Sequence, residues 1–168
     1  MKTAVNHTEI ASNLNDELEL LEKELEERAS ANAFDDEYYQ IRKKAEDLAF
    51  NVRYHRIMSN EKKYASEHLR SDVHAYEIIG EKSATTLLVR RLKATRTQES
   101  KEQMAEPFVP GGFIWHFDNS LQEWTFETDE SNPIIAIRRH KDGLFYAPNS
   151  SCCFTIHEKP CEFYDFNF

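Results

Sequence analysis

The chain has 168 residues, a formal net charge of −9, three cysteines and four glycines. A domain of that length buries about 70% of its surface, enough for one core but hardly two, so the expectation is one domain with an extension. No stretch approaches 18 consecutive apolar residues and no apolar leader core opens the chain, which predicts a soluble, cytoplasmic protein with no membrane partner.

A helix is predicted over 6–32. Asn6 can cap it, and Glu9 can return the capping-box hydrogen bond. Ala11, Leu14, Leu18, Leu21 and Leu25 then follow 3-4 spacing, with Glu19, Glu22, Glu26 and further glutamates on the other faces. So short a seam is marginal alone and needs a partner helix, in this chain or another. Asp35, Asp36 and Glu37 put acid at the start of a second helix, where the macrodipole favours it. Its stripe is Tyr38, Ile41, Ala45, Leu48, Val52 and His55, and the short "ASANAFDD" joint favours antiparallel neighbours. A third helical segment is predicted from about Asn60 to Ser71, with Tyr64, Ala65 and Leu69 inward. Residues 1–72 therefore read as helical, an acidic helix over 6–32 followed by basic helices over 36–71.

Past residue 72 the periodicity falls to two, and 13 of the 20 aromatic residues lie from Phe108 onward. In the ambiguous 85–105 stretch, "TTLLVRRLKAT" suits a strand and "QESKEQMAEP" a helix or loop. "VPGGF" reads as a turn into a strand bearing Phe113, Trp115 and Phe117, with Trp124 and Phe126 on the next strand across "DNS". "IIAIRRHKDGLFYA" predicts a hairpin with Gly143 in the left-handed conformation. Cys153–His157 and Glu162–Phe166 read as a last strand pair. The fold class expected is α+β: an N-terminal helical hairpin or coiled coil followed by an antiparallel aromatic-rich β-sheet. Residues 73–168 form the mainly antiparallel region, packed as one domain with the helices.

All three cysteines and one histidine fall in "SSCCFTIHEKPC". Zinc sites usually draw two thiolates together through C-x2-C turns, whereas Cys153, His157 and Cys161 are spaced four and four. On an extended chain Cys153 and His157 stand about 13 Å apart, too far to share an ion. Cys152 and Cys153 are adjacent, where a mutual disulfide would be strained, so reduced, structural thiols are expected, with no metal and no cofactor. The four glycines compose no phosphate-binding loop. His116 and Asp118 alternate with inward aromatics and need no catalytic reading; His68, Asp72 and His74 fall near a predicted helix end and read as a solvated cluster.

Charge is segregated along the sequence. Residues 1–37 hold 11 acidic against 3 basic side chains, residues 38–101 hold 8 against 14, and residues 102–168 hold 11 against 4. Such blocks favour docking of oppositely charged surfaces, within the chain or between chains. The expected function is non-catalytic: an acidic regulator or inhibitor that binds a larger protein partner, in the style of a phage or mobile-element protein acting on a host enzyme of nucleic acid or polypeptide, and itself a homo-oligomer. Its partner-binding residues would be Leu14, Leu18, Leu21, Leu25, Glu19, Glu22 and Glu26, with Arg53, Arg56, Arg90, Arg91 and Lys93 as a basic docking surface. One alternative is a small metal-dependent or hydrolytic enzyme using His116, Asp118, His140 or His157. A second is nucleic-acid binding through the basic segment 42–96, against which the overall acidity argues.

Overall fold

The structure, a computed structural model, describes residues 5–104 and 119–166. The chain divides into two compact units, residues 1–61 and residues 62–168. The first holds α1 (His7–Ser30) and α2 (Asp36–Ser59). Asn6 caps α1 as its sequence position implies: its Oδ1 accepts from Glu9 N at 3.2 Å, and Glu9 answers through the Asn6 side-chain amide at 3.0 Å. Asn32, at φ 55°, ends the helix in the left-handed conformation, and Ala33 N donates back to Arg28 O at 2.9 Å. Asp35 then caps α2 by accepting from Tyr38 N at 2.9 Å.

The two helices run antiparallel. His7 meets His55 near one end, Lys44 meets Glu17 along the middle, and Arg28 reaches Glu37 at the joint. That register sets Leu14 level with Leu48 and Leu21 level with Ile41, so the leucine seam finds its mate in this chain. Ala45, Leu48 and Val52 are buried, while α1 contains no fully buried residue. The observed arrangement is a helical hairpin.

The second unit departs from the helical expectation at once. Residues predicted as a third helix over 60–71 contain β1 (Tyr64–His68) instead, so the basic helices stop at Ser59. Their lysines, glutamates and alanine carry ordinary helix propensity, but β1 is hydrogen-bonded on both edges, and long-range pairing outweighs that local preference. Next come β2 (Val73–Ser83), β3 (Thr86–Arg91), β4 (Lys93–Arg96), α3 (Gln98–Met104), a 3-10 turn (Asn119–Leu121), β5 (Trp124–Glu127), β6 (Ile134–Arg139), β7 (Phe145–Tyr146) and β8 (Cys153–His157). Six strands close an antiparallel barrel in the order β1-β2-β3-β6-β7-β8, and β4 pairs with β5 in a separate two-stranded sheet. Closure of β8 on β1 aligns Ala65 with Ile156 and Glu67 with Phe154.

Alternation fills the barrel. Leu87 lies opposite Ile137 and Phe145 opposite Phe154, and with Ala65 and Val89 these side chains are fully buried. Each large one contributes about 1.5–3 kcal/mol on burial. The same parity puts Glu67, His74, Tyr76 and Arg91 on the inward row. Gly143, at φ 83°, turns β6 into β7 as the hairpin pattern implies.

The expected pairing of Glu162–Phe166 with β8 is not found. Phe163 instead makes an isolated bridge to Val73. Gln122 imitates a further strand edge, donating to Tyr164 O at 2.6 Å and accepting from Tyr164 N at 2.9 Å. Pro160 and the turn before it carry the chain away from β8, so this segment finds β2 and the 119–122 turn. The expected strand with Phe113, Trp115 and Phe117, and the preceding "VPGGF" turn, lie outside the described residues. So do His116 and Asp118.

Candidate functional site

On α1, Leu14, Leu18, Leu21 and Leu25 are half-buried, and Glu19, Glu22 and Glu26 are exposed. The 3-4 spacing explains both facts, because the seam turns toward α2 and the glutamates turn away. Glu17 pairs with Lys44 at 2.8 Å and Glu24 with Arg28 at 3.3 Å. Glu19 accepts from Asn15 at 2.8 Å, but among the described residues neither Glu22 nor Glu26 has an ion-pair partner. Leu20, 70% exposed, lies among these acids.

The basic residues divide differently. Arg53 and Arg56 are exposed on α2. Arg90 donates to Glu77 at 2.7 Å, and Lys93 to Glu127 at 2.9 Å. The Glu127 carboxylate, first by its hydrogen bond and then by its charge, raises the Lys93 ammonium above its ordinary value. Arg91 makes a forked pair with Glu162, 2.9 Å and 2.6 Å, and its guanidinium stands 5.7 Å from the centre of the Tyr76 ring. Tyr76 donates to Glu67 at 2.7 Å, and burial followed by that hydrogen bond raises its phenol above the usual range. His74 Nδ1 lies 3.9 Å from the same carboxylate. Glu67, His74, Tyr76 and Arg91 thus form a polar network along the inward row of the barrel, closed at one end by Glu162.

Among the described residues, the two candidate histidines His140 and His157 do not share a cleft. His68 belongs to the β1 strand rather than to a helix end, and its Nε2 is 2.7 Å from Thr155 Oγ1. His157 Nε2 is 2.7 Å from the same hydroxyl. With a single proton on Thr155, the hydroxyl donates to one imidazole and accepts from the other. His74 sits across from Glu67 on β2, and Asp72 accepts from Asp165 N at 3.0 Å; the solvated cluster expected of His68, Asp72 and His74 is therefore dispersed into half-buried barrel contacts. Cys153 and His157 occupy opposite ends of β8. Burial and then the Glu162 charge push the Cys161 thiol up, disfavouring the thiolate. Among the described residues no three His, Cys, Asp or Glu side chains converge as metal ligands.

His140 is elsewhere, in a cleft of about 560 Å³ lined also by Thr86, Arg138, Asp142 and Tyr146. His157 does not line it. Thr155, Glu67, Arg138 and Glu162 escaped the sequence reading. Their roles depend on pairings between strands far apart in the chain, and only the Asp142–Gly143 turn carried a local signal. No known protein-family model matches this chain, and neither a curated protein nor a solved structure matches it. No helix among the described residues is long and apolar enough to cross a membrane.

Proposed function

We propose that the protein is a non-catalytic acidic regulator that docks the outer face of α1 on a basic groove of a larger protein. The observation supporting this reading is the unequal neutralisation of charge. Arg90, Arg91 and Lys93 have acidic partners inside the chain, whereas Glu22 and Glu26 are left without cations among the described residues. Pairing takes Arg90, Arg91 and Lys93 out of the basic surface on which nucleic-acid binding would depend, leaving Arg53 and Arg56 exposed. The uncompensated acids favour a positively charged partner, with Leu20 as an apolar contact among them. Complementary fields of this kind act on encounter rate and partner choice more than on affinity. Inhibition of an enzyme that handles nucleic acid or polypeptide, as in a phage or mobile-element protein, is the finer form of the proposal.

The test is affinity capture from a bacterial lysate by the wild type and by a Glu19→Gln, Glu22→Gln, Glu26→Gln variant, followed by mass spectrometry. A partner retained by the wild type, lost from the variant and released by salt supports the reading. Equal capture by both proteins rejects the acidic face.

A further inference from the structure

The cleft beside His140 combines unused donors with an apolar wall. It lies on the outer side of the barrel, where Arg138 is flanked by Thr86 on β3 and Tyr146 on β7. Two turns frame it. The first brings Gly143 N to His140 O at 3.1 Å, and the second brings Ser150 N to Ala147 O at 3.2 Å, with Pro148 leading and Asn149 at φ 60°. Proline presets the first central angle of that second turn and asparagine tolerates the left-handed one, so both central residues suit the conformation that the turn adopts.

The polar groups are not equally available. Asp142 has both oxygens engaged, one accepting from Leu144 N at 3.0 Å and the other from Tyr146 Oη at 2.9 Å. Those hydrogen bonds hold its carboxyl below the usual range and the Tyr146 phenol above its own. The exposed guanidinium of Arg138, by contrast, has no hydrogen bond or ion pair among the described residues. Its five donors point to a ligand that accepts, and a forked guanidinium suits a carboxylate or phosphate. The His140 ring, 4.7 Å from that of Tyr146, adds an aromatic corner. Ala136, Ala147 and Pro148 supply apolar surface. The volume lies within the range of small-molecule sites.

We propose that this cleft binds a small organic anion, a carboxylate or phosphate monoester carried on a flat apolar body, with Arg138 holding the charge and Tyr146 with Pro148 holding the body. The residues of the site all belong to the second unit, and its test does not depend on any protein partner.

The experiment is an amide-resolved NMR titration of the full chain with phenyl phosphate and with phenylacetate, with inorganic phosphate and benzyl alcohol as half-ligands. Saturable shifts are expected at Thr86, Arg138, His140, Asn149 and Ser151 with at least one of the two complete probes, and the tighter probe distinguishes phosphate from carboxylate. Each half-ligand should bind at least about tenfold more weakly, since charge and body are both required. Arg138→Gln should weaken the complete probe about tenfold or more while leaving the unfolding midpoint in place. If that variant does not fold, Arg138→Lys replaces it, with an expected loss of about threefold from the missing fork. Absence of saturable shifts with both complete probes up to about 10 mM, shifts confined to other residues, or undiminished binding by a folded Arg138 variant would each overturn the proposal.

Discussion

Arg91 and Glu162, 71 residues apart, form a forked ion pair in which the glutamate side chain is only 7% exposed. The same carboxylate accepts from Ala75 N at 2.7 Å. The pair therefore ties the C-terminal segment to the strand at which its bridge is made. Removing one member leaves the other charge unsatisfied in a poorly solvated place, which typically costs about 3–5 kcal/mol. Arg91→Met is expected to lower stability by about 3 kcal/mol in urea unfolding. The double variant Arg91→Met, Glu162→Leu should recover part of the loss, because it buries no lone carboxylate. A double variant as unstable as the sum of its singles would show that the two side chains act independently.

Tyr76 gives the barrel a sensitivity to alkali. Its folded phenol ionises at higher pH than an unfolded one because burial and the Glu67 hydrogen bond favour the protonated form. Between the unfolded value of about 10 and the raised folded value, the native state holds the extra proton. That contribution is fully present below about pH 10 and is lost as pH rises through the folded value. Tyr76→Phe should have a shallower fall in unfolding midpoint above about pH 10 than the wild type. Parallel profiles for the two proteins would rule out this source.

The hairpin rests on half-buried leucines, so charge in the seam should open it. Full burial of a leucine contributes about 1.5–3 kcal/mol, and half of that for each of Leu18 and Leu21 makes Leu18→Asp, Leu21→Asp a loss of about 1.5–3 kcal/mol. Circular dichroism at 222 nm should show reduced helicity and an earlier melt. Neutralising Glu19, Glu22 and Glu26 should leave helicity and melting nearly unchanged, as exposed charges contribute little. Light scattering on both variants would show whether chain association also depends on this seam.

Two turn residues hold backbone angles that side chains with branched β-carbons resist. Gly143 is at φ 83° and Asn149 at φ 60°. Gly143→Ala and Asn149→Val should each destabilise the protein by about 1–2 kcal/mol, while Asn149→Gly should be tolerated. Thermal unfolding of the three variants checks the ordering. A valine at 149 with an unchanged midpoint would exclude strain as the reason for asparagine there.

Local chemistry made the amino-terminal hairpin legible in the sequence. Asn6 and Asp35 are capping residues, and the leucine stripe repeats at helical spacing over several turns, so each helix announces its start and its apolar face within a few residues. The β6–β7 turn and the β8 strand were legible for similar reasons, through Gly143 and through the alternation of Phe154 and Ile156 with polar neighbours. Charge blocks were visible too, although not which charges would meet.

Tertiary structure alone decided the rest. Tyr64–His68 becomes a strand because β2 and β8 both offer it hydrogen bonds, and β8 lies roughly ninety residues away in the chain. Thr155 comes between His68 and His157 through the closure of β8 on β1, and Arg91 finds Glu162 where the C-terminal segment returns to β2. Propensity, capping and periodicity act over one or two turns of chain, whereas barrel closure is a cooperative choice among distant strands. Which polar side chains end up satisfied inside the fold, and which, like Arg138, are left facing a cleft, follows from that choice.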